Sequence, residues 1–517
     1  MRRPAPASVV ASVCLTALLA ACTSGGDDPD PTTSVDASST SAVATPTPTP
    51  TSTPAPSVVT TTADYLGARV DIAVHPLEAA GGKALLTADF TLQGDAPAAS
   101  IMSLGVILRS PGSYLNVGRI RLLDLPGSTV FEVGRGSGRT ASTSGEPLNL
   151  EPGQPVTVQA IFAAPTSSSV DVLLPYLGLV EGVPVETATT LETTPEALGA
   201  PGDLTYLKAP IDAFDVAYDS SSAARVEGDA ATVALSSDVL FASDEATLTS
   251  AAKKVVDQAA DEILATGRAG VVTVVGHTDD VDTDAYNLAL STKRANAVAD
   301  ELRPSLGSGY TVRTVGKGEF DPAVRGTSAA ARKANRRVEI QYTTTAAGAR
   351  VTAPASEPAP KASGPVGSGS TSVPVTVDDV DYTVAAAGVQ RRDGFLVGSL
   401  AVTRTSDGRG SLQGFFGDYA EGLALGRGLS ATTLAVGAFG ATLLGESSRS
   451  YPADYVAAKG SSGEPDRRGV LTDEFLDQPM GQGQTATVTV VWPDPGGDTV
   501  SIDVPQRFRL TDVPVTP

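Results

Sequence analysis

The sequence predicts a multidomain chain. A central α/β domain, one mixed sheet covered by helices, is flanked by two β-sandwich domains, with disordered Pro/Thr-rich linkers between them. Three observations predict this. Apolar and polar residues alternate at period two within residues 63–190 and again within 375–517, the mark of half-buried strands. Between these blocks, short apolar runs alternate with amphipathic stretches of helical spacing, which implies one sheet covered by helices. The connecting stretches are rich in Pro, Ser, Thr and Gly and lack the apolar residues a core requires.

The first residues read as an address. Arg2 and Arg3 form a positive n-region, and residues 9–19 form an apolar run too short to span a bilayer. Leu19-Ala20-Ala21-Cys22 resembles a bacterial lipobox, in which small residues lead to a cleavage site and the cysteine is thioether-linked to diacylglycerol. Residues 1–22 are therefore read as a lipoprotein signal peptide, with Cys22 as the lipidation site. The plainer alternative is an ordinary signal peptide with a chance cysteine. The expected location is the bacterial cell envelope, exported and lipid-anchored to a membrane. The second cysteine, Cys14, lies inside the apolar run, so a mature chain would carry no disulfide and its domains must be held by their cores.

Residues 23–62, including Thr45-Pro46-Thr47-Pro48-Thr49-Pro50, read as a disordered tether. At about 3.1 Å per residue such a chain reaches ~120 Å. The net charge of −21 excludes nucleic acid as a partner, because that binding needs a basic surface. It equally excludes docking to anionic lipid through a basic patch, leaving the lipid on Cys22 as the route to the membrane.

Residues 63–190 alternate in the manner of an immunoglobulin-like sandwich: Val70, Ile72 and Val74 against Asp71 and Ala73, then 86–92 and 156–162. Residues 375–517 read as a copy of them. Gly153-Gln154-Pro155-Val156-Thr157-Val158 matches Gly483-Gln484-Thr485-Ala486-Thr487-Val488, and without a gap Phe162 falls on Trp492, Pro175 on Pro505 and Val183-Pro184-Val185 on Val513-Pro514-Val515. The plainer reading is two generic hairpins with Pro-bearing edges. Trp492, the single tryptophan, reads as a core residue rather than a ligand platform. Residues 191–230 read as spacer and lead-in, and 346–374 as a linker.

Within 231–345 the elements fall in order. Strands are expected at 233–241, 270–275, 310–315 and 338–342. Helices are expected at 248–266, at 284–302 with a stop at Pro304, and at 329–336. The run Gly270-Val271-Val272-Thr273-Val274-Val275 reads as a buried central strand.

Five motifs lie in order on these elements: Leu240-Phe241-Ala242-Ser243-Asp244 with Leu248; Gly276-His277-Thr278-Asp279; Asn287, Leu290-Ser291, Arg294-Ala295 and Val298; Gly316-Lys317-Gly318-Glu319 with Pro322; and Asn335-Arg336-Arg337-Val338-Glu339-Ile340. Together they resemble the OmpA-like peptidoglycan-binding family over residues 231–342, a minority of the chain. The resemblance implies binding of the diamino-acid side chain of the peptidoglycan stem peptide, whose free end is zwitterionic. It implies Asp279 as acceptor of the ammonium and Arg294 as the clamp on the carboxylate, through paired hydrogen bonds. Asn287 and Arg294 share one helix face, with Leu290 between them. Thr278 and Arg337 complete the implied site. Charge alone reads Asp279 and Arg294 equally well as a structural ion pair, and Arg336 and Arg337 as partners of nearby acids.

One position departs from the family pattern: Asp282 stands where glycine is common, which bears on the loop conformation because Asp accepts positive φ less readily. Asp280-Val281-Asp282-Thr283-Asp284 superficially resembles the start of a calcium loop, but Ala285 follows where a sharp-turn glycine belongs and Ser291 stands in place of the closing Glu. No metal is expected, and His277 reads as a packed residue. No cofactor is expected, and no nucleophile set or phosphate loop stands out, so binding rather than catalysis is the expectation. Two alternatives remain: an envelope adhesion or assembly scaffold whose sandwiches bind a protein partner, and a wall-localised enzyme with its site in a sandwich.

Overall fold

The computed structural model describes residues 57–94, 103–109, 116–136, 138–144, 148–346, 349–355, 357–417, 437–458 and 467–517. The signal peptide, the lipobox with Cys22 and most of the 23–62 tether lie outside them.

Period-two alternation builds strands where it was expected. Val59–Tyr65 pairs antiparallel with Ala68–Val74 across a two-residue turn in which Leu66 (φ 54) and Gly67 (φ 87) are both left-handed, the geometry that suits a tight hairpin. Ala68–Val74 pairs with Lys83–Gln93, and Lys83–Gln93 with Pro155–Ala163. Val70, Ile72 and Val74 point into the core. A second group joins Arg121–Asp124, Thr129–Glu132, Ser169–Leu174 and Gly178–Thr187. The topology differs from two separate facing sheets. Leu77–Ala80 pairs with Lys83–Gln93 on one side and, in parallel, with Gly178–Thr187 on the other, so the strands belong to one continuous ten-stranded sheet.

The C-terminal segment repeats part of this plan, with its strands divided between two sheets. Val373–Val377, Val380–Arg392, Phe395–Arg404 and Thr485–Pro493 form a four-stranded sheet in that order. Pro155–Ala163 and Thr485–Pro493 begin 330 residues apart, as do Ser169–Leu174 and Thr499–Val504. The register shift between Val170 and Val172 recurs between Val500 and Ile502. Left-handed Tyr176 (φ 63) has its counterpart in Gln506 (φ 61).

The two β-rich segments share one core, which contains Ile72, Phe90 and Phe162 together with Val384, Leu400, Val488 and Trp492. Trp492 is fully buried, and its Nε1 donates to Ala441 O at 2.7 Å. Its ring lies against Gly398, where a Cβ would come within 2.3 Å of it. Buried charges also cross between the segments: Arg121 Nε donates to Tyr455 Oη at 2.5 Å, and Tyr455 Oη donates to Glu132 Oε1 at 2.5 Å.

The central domain holds a mixed sheet. Gly270–Gly276 lies between Tyr310–Gly316, in parallel, and Arg337–Thr343, antiparallel; Arg337–Thr343 then pairs with Ala230–Ser236. Ser250–Thr266 and Asp284–Leu306 cover it, packing Val255, Val256, Ile263, Val298 and Leu302 against Val272, Val274, Val338 and Ile340. Thr249 and Thr283 cap these helices by accepting from Ala252 N and Tyr286 N.

Four local expectations differ from the structure. The segment 191–230 is not only spacer: it supplies Lys208–Pro210, Ala213–Ala217 and Ser222–Glu227, and Ala213–Ala217 is buried at every residue, so it shows no alternation. Ala213–Ala217 pairs with Ser448–Ser450, which carries the central sheet into the C-terminal segment as one eleven-stranded sheet. In the Pro/Ser/Gly-rich 346–374 stretch, Val351, Ala353 and Ala355 are buried in the central core, and Val366–Ser368 pairs with Phe508–Pro514. Composition there hid a period-two alternation, and proline is compatible with a sheet edge. The expected 233–241 strand ends at Ser236 and turns into the helix Ser237–Leu240, whose first turn carries Asp238. The helix expected to stop at 302 runs through Pro304 to Leu306; Pro304 has no N–H to give the Asp300 carbonyl, and the burial of Leu306 offsets that loss.

A shared core predicts one unfolding event. Melts of this protein followed by Trp492 fluorescence and by far-UV circular dichroism are expected to coincide, and Trp492→Ala to destabilise both β-rich segments by about 3–5 kcal/mol. Two separated transitions would show segments that fold independently.

Candidate functional site

Two paired glycines position the site. Gly276 faces Gly316 in the parallel pair, and Asp284–Leu306 crosses both strands there. A Cβ on Gly276 would lie 2.1 Å from Ser291 O, and one on Gly316 2.1 Å from Thr292 Oγ1, so any larger residue pushes the helix away. This contact brings the first turns of the helix against the strand ends and traps the loop between them. His277 N donates to Arg337 O at 2.9 Å and Thr278 N to Gly318 O at 3.0 Å. Gly318 N donates in turn to Ser291 Oγ at 2.9 Å.

A cavity of about 490 Å³ opens beside this loop, with Asp238, Phe241, Asp244, Thr278, Asp279, Val281, Asp282, Asn287, Leu290, Arg294 and Arg336 in its walls. Five of the six expected site residues are therefore brought together. Arg294 is buried on the Asp284–Leu306 helix. Its Nε donates to Glu245 O at 3.0 Å, and its guanidinium carbon stands 5.3 Å from the centroid of the Phe241 ring. Among the described residues its two terminal nitrogens make no hydrogen bond. Burial lowers its pKa from the usual arginine value, while Asp244 and Asp238 act the other way; arginine remains a cation across any ordinary pH.

Asp279 Oδ2 accepts from Arg336 Nη1 at 2.7 Å, and its Oδ1 accepts from Val281 N at 3.3 Å. Arg336 also donates to both oxygens of Asp238, Nε and Nη2 each at 2.7 Å, and this pairing holds the Asp238 carboxyl below its usual range. Asn287 lines the cavity, but its amide nitrogen is committed to the loop. It donates to Val281 O at 2.8 Å, Asp279 O at 3.3 Å and Glu319 Oε2 at 2.6 Å. Asn287 thus fixes the conformation that presents Asp279. Thr278 Oγ1 is buried without a hydrogen-bond partner among the described residues, as is Ser237 Oγ in the same walls. Leu290 supplies apolar surface.

Arg337 stands elsewhere. It is not in the cavity wall; it pairs with Glu339 at 2.7 Å and donates to Asp321 O at 3.2 Å. Its neighbour Arg336 occupies the cavity instead, because Arg337 opens the strand Arg337–Thr343 and its side chain turns toward Glu339. Sequence reasoning also passed over Asp238, Asp244 and Ser237 as wall residues. The motif from Leu240 to Asp244 marked that turn without saying which side chains face the cavity. Asp282 adopts φ 76 in the loop, the conformation that glycine favours. His277 is buried beside Arg337 and 3.9 Å from Glu339, and desolvation with Arg337 pushes its pKa down to about 4. Among the described residues no group of three or more His, Cys, Asp or Glu is placed to hold a metal ion.

Residues 240–336 match the OmpA family, and the chain carries an OmpA-family domain there. Relatives that match part of the chain include the following three. An outer membrane protein A of Bordetella avium is 35% identical over 112 residues, 22% of this chain and 57% of that protein. A peptidoglycan-associated lipoprotein of Legionella pneumophila is 40% identical over 106 residues, 20% of this chain and 60% of that protein. The outer membrane porin F of Pseudomonas aeruginosa is 51% identical over 70 residues, 13% of this chain and 20% of that protein. The chain thus spans between a fifth and three fifths of the length of these relatives.

Two outcomes test this site's physics. His277 resists protonation in the fold, so between pH 6.5 and about 4 the unfolded chain binds a proton that the native chain refuses. Stability should fall as pH drops through that window, and His277→Leu should flatten the slope, read from urea midpoints at stepped pH. At the left-handed loop position, Asp282→Gly is expected to stabilise the protein by about 0.5–1 kcal/mol in the same assay. An unchanged midpoint would show that Asp282 is unstrained.

Proposed function

We propose that this is an envelope protein whose OmpA-family domain binds peptidoglycan non-covalently through the diamino-acid side chain of the stem peptide. Lipid on Cys22 would hold the other end at a membrane, with residues 23–62 as the tether between membrane and wall. The observation that carries the binding reading is the pairing of functions in one cavity. The Asp279 carboxylate and an Arg294 guanidinium with free terminal nitrogens share its walls. A zwitterionic ligand end needs that combination: the carboxylate takes the ammonium, and the planar fork takes the carboxylate through two parallel bonds.

The other residues divide the remaining work. Leu290 offers an apolar wall to the methylene chain of the diamino acid. Thr278 Oγ1, unpartnered and buried, is a donor for a ligand oxygen. Asn287 holds the loop, and Arg337 supports the strand end beside His277. The acidic rim of Asp238, Asp244 and Asp282 favours an approaching ammonium. The action is binding, not catalysis. The β-rich segments serve as spacers or as surfaces for an envelope protein partner. The peptidoglycan-associated lipoprotein among the relatives supports the wall as ligand by its name.

Co-sedimentation with purified diaminopimelate-type peptidoglycan tests this. The wild type should pellet with the wall, and Asp279→Ala and Arg294→Ala should each weaken binding by about tenfold or more, the loss of a charge-assisted contact. A wild type that stays in the supernatant would overturn the proposal.

A further inference from the structure

Asp279 does not face the cavity as an open anion. The Arg336 guanidinium is shared unequally, with two parallel 2.7 Å bonds to Asp238 and a single 2.7 Å bond to Asp279. Paired bonds to one carboxylate are the stronger and geometrically stricter arrangement. The carboxylate held by the single bond is also the less hydrated one: the Asp279 side chain is 13% exposed, that of Asp238 40%. A largely buried carboxylate gains most from a neighbouring cation, and Arg336 is the cation bonded to Asp279, with Arg332 acting on it only through longer-range attraction. Asp238, Asp279, Arg294 and Arg336 all stand in the same walls.

We propose that Arg336 is a latch on the diamino-acid site. It neutralises Asp279 while the cavity is empty and yields that oxygen to the ligand ammonium, remaining on Asp238. This rests on the proposal that Asp279 accepts the ammonium. Asp238 is then a positioning residue, since its paired bonds restrain the guanidinium and keep the contact with Asp279 exchangeable. The latch makes the site selective for a cation. A ligand end without an ammonium brings nothing to exchange for Arg336 and meets an acceptor already occupied, whereas an ammonium replaces one charge-assisted bond with another.

The test is calorimetric titration of the full-length chain with meso-diaminopimelate and with its doubly N-acetylated form. Arg336→Gln removes the competitor and should tighten meso-diaminopimelate binding by roughly two- to fivefold, the range for partly exposed ion pairs. Asp238→Asn releases Arg336 onto Asp279 and should weaken binding by a similar factor. Both substitutions break the same Arg336–Asp238 pair, so a purely structural role would move them in the same direction. Neither should change the response to the acetylated ligand, which carries no ammonium. If the wild type binds, Asp279→Ala does not, and Arg336→Gln binds no more tightly than wild type, the latch is rejected while the site stands. If the wild type does not bind, both fall together.

Discussion

The backbone pairing of Ala213–Ala217 with Ser448–Ser450 is the contact on which the architecture depends. Beside it Phe214 and Val216 pack with Phe439, Tyr451 and Val470, and Arg468 pairs with Glu227. Through the strand pairing, the central sheet runs into the C-terminal β-rich segment, which shares its core with the N-terminal one. Polar contacts fix this arrangement. Arg350 pairs with Asp215 at 3.2 Å, and Ser450 Oγ donates to the same carboxylate at 2.7 Å. Arg121, Tyr455 and Glu132 form a buried chain between the two β-rich segments. Buried charges of this kind add little net stability, because desolvation offsets their attraction. Misaligned partners would leave them unpaired at a cost of several kcal/mol, so they select one docking.

At the site, the same logic works over shorter distances. The Gly276–Gly316 pair lets a helix sit against the sheet, and that contact decides where Asn287, Leu290 and Arg294 stand relative to the loop. Asn287 then spends its amide nitrogen on loop carbonyls and on Glu319, which holds the loop that carries Asp279, while among the described residues the terminal nitrogens of Arg294 make no hydrogen bond. Function here rests on which hydrogen bonds are already made and which are left free.

Much of this was legible in the sequence. The strand Gly270–Gly276, the two long helices and the loop motif carried their own periodicity and spacing, and Asp279, Asn287, Leu290, Arg294 and Thr278 do meet in one cavity. What was not legible depends on contacts between distant residues. The alternation of Val351, Ala353 and Ala355 does not say that they close the central core, since it is short and set in a Pro/Ser/Gly-rich stretch. Two adjacent arginines carry the same chemistry in sequence; only the turn into Arg337–Thr343 sends Arg336 to the cavity and Arg337 to Glu339. The 330-residue offset between the β-rich segments was visible, but nothing in it foretold that they would share an interior.

The hairpin at the start of the described residues has a mechanical consequence. Val59–Tyr65 is an outermost strand of its sheet, and it turns back through two residues onto Ala68–Val74, with Val59 opposite Val74 at the open end. Tension arriving along the chain before Val59 would act on that open end and part the strand pairs one after another, as a zip opens, instead of loading them all at once in shear. The molecule would then lengthen by surrendering its outer strand at modest force, while the sheet that carries the cavity stays intact behind it.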